Sequence, residues 1–413
     1  MKSFIVNSHT DNEFYKKLEF SYKTVEKTTI NESNQFGYES EIDDLRNKID
    51  SINISIWKKV RWFINPYDFL VKDPIINRAF YKFWEIINYF DFINPKTKRI
   101  ASLAEAPGGF IQGFQVYFNN FSSSQTENNN EKPDDDGWTT IVKNKKNTVP
   151  SIYTTSLNKK NEMYKEYNLP SYNKTILSKN VKITYGADNT GDISKMDNYE
   201  YFKKFTDYYK FDIITADGGF DEGNDFNHKE QLHYILFLTE IFYAVSFQNK
   251  GGNFLLKTFD LFTKTSLDLM WLLTNVYENV YICKPNTSRP TNSERYIVCK
   301  NFNLDDKKRH LIIDFIKKAL IDLNDIKRNE LTDRNLFILF SLFKEDAIPN
   351  SFVERISSIN NELLRFQCDF LKVATNLVEN SDFLKNFEEQ KDFLLTERER
   401  SYEDWKREFK LTI

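Results

Sequence analysis

Cysteine is nearly missing from this sequence, with 3 in 413 residues. Cys283, Cys299 and Cys368 form no C-x-x-C pair and no metal spacing. That excludes a disulfide scaffold and a thiolate metal site, and fits buried or free thiols in a reducing compartment. Histidine is equally thin. His9, His228, His233 and His310 are scattered, and His228 and His233 stand too poorly on one helix face to suggest zinc. They read as surface or core residues, and no metal is expected. No apolar run is long enough for a membrane span, and the polar N-terminus does not read as a signal peptide. No membrane role is expected, and the setting reads as intracellular, cytoplasmic or nuclear. An excess of positive charge is also missing: 57 Lys and Arg stand against 60 Asp and Glu, a net charge of −3. A protein that coats nucleic acid through global charge is excluded, so any RNA site must be a local basic patch. Neither G-x-G-x-x-G nor G-K-[ST] occurs, which removes the dinucleotide fingerprint, the P-loop and a generic dehydrogenase.

What is present is apolar and aromatic. Hydrophobic residues make up 40% and aromatics 16%, enough for a sizeable core in one large domain with extensions, or in two domains. The chain is organised around residues 101–110, Ala-Ser-Leu-Ala-Glu-Ala-Pro-Gly-Gly-Phe. A short apolar strand leads into the Pro-Gly-Gly turn, and an amphipathic helix from Phe110 leaves it. Gly108 and Gly109 are expected to let the backbone approach a ligand, with the helix amides behind them as donors.

Residues 1–40 are polar and weakly patterned and read as a loose accessory segment. Helical spacing runs from Glu41 to Phe63 and ends at Asn65-Pro66. A second helix runs from Asn77 to Phe90, with Phe80, Trp84, Ile87 and Phe90 inward and Arg78 and Lys82 on another face. Residues 121–149, with runs of Ser, Asn, Asp and Lys, read as a flexible surface insertion. Strands then alternate with helices: Ser151–Ser156, Val181–Tyr185, Phe211–Ala216, Asn253–Lys257, and a final hairpin of Val280–Cys283 with Arg295–Cys299. This argues an α/β class with a mostly parallel sheet and an antiparallel last strand. After Phe302 the texture is helical to the end. Phe352, Ile356, Ile359, Leu363, Phe366, Phe370, Val373 and Leu377 make a heptad-like seam that docks either on the chain's own body or on a partner helix. Asp382 to Lys410 reads as an exposed helix.

Open α/β sheets place their sites outside the carboxyl ends of the strands. Asp217 closes one strand and Lys257 the next, while Glu294 sits at the start of the antiparallel strand, on that same edge. Lys82 lies on the helix that leads into the first strand and can reach the same place. Each side chain alone has an ordinary use, as a turn cap, a snorkelling lysine, a loop carboxylate or a solvated helix residue. Their convergence beside one turn points to chemistry.

These residues carry a resemblance. The sequence is similar to the FtsJ-like (RrmJ-type) ribose 2′-O-methyltransferases, especially the mRNA cap-specific branch of eukaryotes and their large DNA viruses. The likeness rests on Arg78-Ala-Phe-Tyr-Lys82, Glu105-Ala-Pro-Gly-Gly-Phe110, Thr215-Ala-Asp-Gly-Gly219, Leu255-Leu-Lys257 and Ser288-Arg-Pro-Thr-Asn-Ser-Glu-Arg-Tyr296, within residues 75–303. The resemblance implies a Rossmann-like methyltransferase sheet with helical extensions. It divides the chain into an N-terminal accessory segment (1–74), an S-adenosylmethionine-dependent domain (75–303) and a C-terminal helical region (304–413). It implies a catalytic set of Lys82, Asp217, Lys257 and Glu294, with Lys257 as base or proton steerer, its ammonium weakened by Lys82 and by burial while Asp217 and Glu294 oppose that shift and hold the lysines in line. Cofactor contacts are implied for Glu105, Pro107, Gly108, Gly109 and Phe110, with Asp217 facing the methyl donor and Asp188 and Asp192 on the adenosine side. Many relatives carry an acidic residue where this chain has Ser102, and Glu105 is the substitute. The implied substrate is capped RNA, methylated on its first transcribed nucleotides, with Arg289, Lys284, Arg295 and Lys229 as phosphate contacts. Ribosomal or transfer RNA, or a catalytically idle RNA-binding subunit, are the alternatives. Other capping or transcription components are candidate partners. The Asn-, Lys- and Ile-rich style hints at a large DNA virus or a protist as source.

Overall fold

The computed structural model describes residues 1–6, 11, 13–26, 36–67, 74–127, 149–219, 226–329 and 336–412. In chain order its strands are β1 (Lys2–Val6), β2 (Leu18–Glu26), β3 (Arg99–Leu103), β4 (Ser151–Thr155), β5 (Val181–Thr184), β6 (Phe211–Ala216), β7 (Gln248–Thr258), β8 (Tyr277–Lys284), β9 (Arg295–Phe302) and β10 (Leu336–Phe343). The longer helices are α1 (Glu41–Asp50), α2 (Ile54–Ile64), α3 (Ala79–Tyr89), α4 (Gly109–Glu127), α5 (Met196–Phe205), α6 (Tyr234–Phe247), α7 (Lys264–Val276), α8 (Asp306–Asn329), α9 (Asn350–Glu379) and α10 (Phe387–Glu408).

Eight strands form one sheet in the order β1-β8-β9-β7-β6-β3-β4-β5. β5, β4, β3, β6 and β7 pair in parallel, and β9 runs antiparallel between β7 and β8. This is the α/β sheet expected, including its antiparallel last strand. Helices cover both faces, so residues alternate between two cores along each strand. Ala101, Leu103, Ile214, Ala216, Phe254 and Leu256 face the core shared with α5, α6, α7 and α8. Ile100, Ile213 and Leu255 face the opposite core, built with α3, α4 and α10.

Several expectations are corrected. Residues 1–40 are not merely a loose segment: β1 adds an antiparallel edge strand through Lys2↔Lys284, and β2 pairs with β10 through Leu336↔Glu26. The helical reading after Phe302 breaks at that same β10. Both partners lie at opposite ends of the chain, so no local window exposes the pairing. The helical stretch 41–63 is two helices, divided where Asn53 caps α2 by accepting from the Ser55 amide. The insertion expected over 121–149 begins as the end of α4, and residues 128–148 lie outside the described residues.

The heptad-like seam on α9 is spent inside the molecule. Phe352, Ile356, Ile359 and Leu363 join the sheet's core, and Leu364, Cys368 and Leu371 pack with Ile42, Leu45 and Phe262. Phe370 and Leu377 also pack inward, and Val373 is the seam residue left exposed. The expected exposed helix at the C-terminus also differs. Tyr402 and Trp405 of α10 are buried on α3, Trp405 edge-on to Tyr81 at 5.5 Å, and Trp84 Nε1 donates to the Phe409 carbonyl at 2.9 Å. Among the described residues no helix is long and apolar enough to cross a membrane.

Candidate active site

Register sets the site. Leu103, Ala216 and Leu256 stand abreast on β3, β6 and β7. One residue further on, at the carboxyl edge, come Ala104, Asp217 and Lys257. Lys257 stands opposite Tyr296 on β9, and Glu294 lies just before that strand. Lys82 comes from α3, docked through Phe83, which stacks on Phe110 with ring centroids 4.6 Å apart.

The four side chains meet as two ion pairs. Lys82 Nζ lies 2.7 and 2.8 Å from the two Glu294 carboxylate oxygens. Lys257 Nζ lies 3.2 Å from Asp217 Oδ1 and donates to the Asp217 carbonyl at 2.8 Å. Burial works to raise the Glu294 carboxyl, but Lys82, Lys257 and Lys284 overwhelm it and hold the group far below the usual carboxylate range. Burial raises the Asp217 carboxyl against the pull of Lys257 and Lys82. For Lys257 the opposing carboxylates win, and its ammonium is not weakened. Burial pulls its ammonium down, but Asp217, Glu294 and Glu240 together hold it above the ordinary lysine value. Lys82 is paired with Glu294 and does not stand as an uncompensated charge beside Lys257.

The glycines of the turn serve a different purpose from the one expected. A Cβ on Gly109 would come within 2.1 Å of Asn77 Oδ1 and 3.0 Å of the Phe80 amide, so that glycine lets the start of α3 close on α4. Gly108, at φ +111°, would strike Ile176. The space is filled by the protein's own packing, which fixes Lys82 relative to the turn. Phe110 is fully buried against Phe83, so only its backbone can serve a ligand. Glu105 is buried beneath the turn, and its Oε1 accepts the Phe110 amide at 2.7 Å. Its Oε2 is buried with no hydrogen-bond partner among the described residues. Burial, then Asp217, push this carboxyl well above the usual range. Ser102 is buried and its hydroxyl accepts from Thr215 at 3.1 Å, so it stays inside the sheet.

The two loop aspartates separate. Asp188 binds the Thr190 amide and hydroxyl and Asn198 through Oδ1, and Lys195 through Oδ2 at 2.7 Å. Both oxygens are spent on shaping the loop. Asp192 uses Oδ1 for the Ser194 amide and hydroxyl and leaves Oδ2 with no hydrogen bond among the described residues.

Two of the expected phosphate contacts are corrected. Lys284 is buried, and its ammonium donates to the Asn292 carbonyl and side chain and to the Glu294 carbonyl at 2.7–2.9 Å. It ties the hairpin loop that carries Glu294. Arg295 is buried too, bound to Asn360 at 2.7 Å and to Asp260 at 3.4 Å, and joins the sheet to α9. Both stand at the strand ends that flank the hairpin loop, where packing from distant helices covers them. Arg289 stays half-buried within the field of Glu294, and Lys229 lies over the Phe259 ring at 5.2 Å.

Four supporting residues went unread. Ser288 donates to Glu294 Oε1 at 2.9 Å, and Tyr296 OH lies 3.5 Å from Asp217 Oδ1. Glu85 accepts the Asn286 and Thr287 amides at 2.7 and 3.1 Å. Glu240 accepts the Gly218 amide at 3.2 Å. The signal for both glutamates was present: each is the lone acid of a predominantly apolar helix.

Residues 135–302 match the family model described as FtsJ-like methyltransferase. That stretch of the chain is similar to FtsJ-like methyltransferase domains. Relatives agree. The chain is 38% identical over 176 residues to the cap-specific mRNA (nucleoside-2′-O-)-methyltransferase 1 of Mus musculus, a stretch that covers 41% of this chain and 20% of that protein. The protein of the same name from Homo sapiens gives 39% over 167 residues, 39% of this chain and 19% of that protein. The one from Dictyostelium discoideum gives 27% over 358 residues, 79% of this chain and 45% of that protein. The chain therefore spans about a fifth of the length of the mammalian relatives and under half of the slime-mould one. The FtsJ-like stretch contains Asp217, Lys257 and Glu294, while Lys82 and the Pro-Gly-Gly turn lie before it.

Proposed function

We propose that this chain is an S-adenosylmethionine-dependent ribose 2′-O-methyltransferase acting on the first transcribed nucleotides of capped mRNA. The observation that carries the chemistry is the pair of ion pairs, Lys82–Glu294 and Lys257–Asp217, side by side at the carboxyl edge of the sheet. The substrate follows from the printed names of the relatives. The division at residues 74 and 303 belongs to this reading.

The residues present fit the methyl donor. The orphaned Glu105 Oε2 leaves an unpartnered polar atom below the turn, and the α4 amides lie beside it. Asp192 Oδ2 is open on the adenosine side, which leaves Asp188 in a shaping role. When bound, S-adenosylmethionine supplies a methyl group on a positively charged sulfonium, whose charge also disfavours an ammonium nearby. The chain's residues do the rest. A hydroxyl is a poor nucleophile and must lose its proton as it attacks. Lys257, once its own proton has left to solvent, accepts that proton. Held by Glu105, the α4 amides and Asp192, the methyl donor would supply the methyl group that the hydroxyl oxygen takes up, its bonding pair remaining on sulfur. Asp217 and Glu294 hold the two lysines in line, and alignment itself supplies part of the acceleration. Arg289 and Lys229 are the basic residues left to meet RNA phosphate.

The test is methyl transfer from labelled S-adenosylmethionine to matched short RNAs, one with an N7-methylguanosine cap and one with a bare 5′ triphosphate. Label on the first or second ribose of the capped RNA alone is the expected result. Label on both moves the substrate to structural RNA. Binding of the methyl donor without transfer would mark a binding subunit.

A further inference from the structure

Glu240 sits in the middle of α6, whose sequence Tyr-Ile-Leu-Phe-Leu-Thr-Glu-Ile-Phe-Tyr-Ala-Val-Ser-Phe is otherwise free of charge. It is fully buried. An isolated carboxylate in such a place costs several kcal/mol, so the group stays neutral or has a purpose. Its surroundings supply one. Oε1 accepts the amide of Gly218, the residue after Asp217. A Cβ on Gly218 would come within 2.2 Å of that same oxygen, and a Cβ on Gly219 within 3.2 Å of Lys257 Nζ. The two glycines thus leave space that Glu240 fills on one side and Lys257 on the other. Oε2 is buried with no hydrogen-bond partner among the described residues.

We propose that Glu240 is a positioning residue of the methyl-transfer site: protonated, it holds the Asp217–Gly218–Gly219 turn, and ionised, it locks Lys257 in its charged form. The consequence for rate rests on the methyltransferase reading, whereas the titration of Lys257 does not. The charged and titratable groups around this point are Asp217 on β6, Lys257 on β7, Glu105 at the end of β3, Glu294 before β9, Lys82 on α3 and His233 at the start of α6. Burial, against the pull of Lys257, pushes the Glu240 carboxyl up to about 8. It therefore ionises before Lys257 does, and its charge is felt when Lys257 gives up its proton. Each site that loses that charge should release the Lys257 proton earlier.

The experiment follows the ionisation of Lys257 in the full chain by pH-dependent trace acetylation and mass spectrometry, in the wild type and in Glu240→Gln. Glutamine keeps an acceptor for the Gly218 amide and removes the charge. Glu240→Met repeats the measurement should glutamine prevent folding. The expected result is a Lys257 midpoint lower by about one pH unit in either variant. An unchanged or raised midpoint overturns the proposal, since a purely structural glutamate would not set it. The rising limb of the transfer rate against pH should move down with the midpoint. A midpoint that moves in a protein that methylates no RNA would leave the role of Glu240 standing and sink the methyltransferase reading instead.

Discussion

The proposed chemistry asks two opposed things of Lys257: to stay paired with Asp217, and to take a proton from a hydroxyl. In the free protein the pairing wins, because Asp217, Glu294 and Glu240 outweigh burial and hold the ammonium above the ordinary lysine value. Transfer should then climb with pH through the alkaline range, as the fraction of neutral amine grows, rather than plateau near pH 7. A rate–pH profile flat from pH 7 to 10 would show that Lys257 only steers. Lys257→Ala should lower kcat by about a hundredfold or more, the range of a lost general base, while equilibrium dialysis finds the methyl donor still bound. Near-normal turnover in that variant would remove Lys257 from the mechanism. His233 shows the opposite case of a buried group. Burial takes its imidazole down to about 3, from an ordinary value of 6.5. The native state therefore keeps it neutral while the unfolded chain protonates it. Its contribution to stability is complete above about pH 6.5 and is lost as pH falls toward 3. His233→Phe should flatten the acid limb of the melting temperature between those limits; an unchanged limb would place the acid sensitivity elsewhere.

At the scale of elements, the hairpin between β8 and β9 shows how much could be read from sequence and where reading stopped. Alternating strands and helices gave the sheet, its antiparallel strand and the edge where Asp217, Lys257 and Glu294 meet, because those signals are local in periodicity and strand ends. Lys284 and Arg295 are buried against the expectation because burial at a strand end is decided by what covers it. Here the cover is Asn360 on α9, with Trp405 on α10 reaching Glu85, more than sixty residues downstream. β1, β2 and β10 were missed for the same reason, each pairing with a segment far away in the chain. The hairpin also carries a pH prediction. Burial drives the Lys284 ammonium down to about 7, while three close oxygens hold it in place. A folded value below the unfolded one means the charged form is the less favoured in the fold. The proton is shed as pH rises through about 7, and with it the ammonium clamp on Asn292 and Glu294. Hydrogen exchange over residues 286–294, corrected for its intrinsic pH dependence, should speed up between pH 6 and 8.5. Lys284→Met should show the fast exchange at every pH and lower kcat by about a hundredfold through misplacement of Glu294. Exchange that is slow in the variant would mean the loop is held by Glu85 and Ser288 alone.

The whole molecule is closed by its C-terminal helix, and that closure reaches the site. Trp405 is buried between Tyr81 at 5.5 Å, Tyr402 at 6.2 Å and Phe409 at 5.4 Å, and its indole N–H points at Glu85 Oε2, 3.4 Å away. Tyr81 neighbours Lys82 on α3, and Glu85 on the same helix holds the Asn286–Thr287 turn ahead of Ser288 and Glu294. One tryptophan thus braces both members of the Lys82–Glu294 pair. Removing it leaves a large cavity and takes a donor from a buried carboxylate, and the cost should be about 3–5 kcal/mol in equilibrium denaturation. If α10 is a brace for chemistry as well as for stability, Trp405→Ala should also lower kcat at temperatures where the chain is fully folded, with binding of the methyl donor kept. Addition of denatured-state controls is unnecessary to that comparison, since kcat is measured on folded protein alone. A variant that loses stability but keeps its kcat would confine α10 to holding the fold. One that loses kcat in proportion to a loosened Lys82 would make the final helix part of how this edge of the sheet is kept in line.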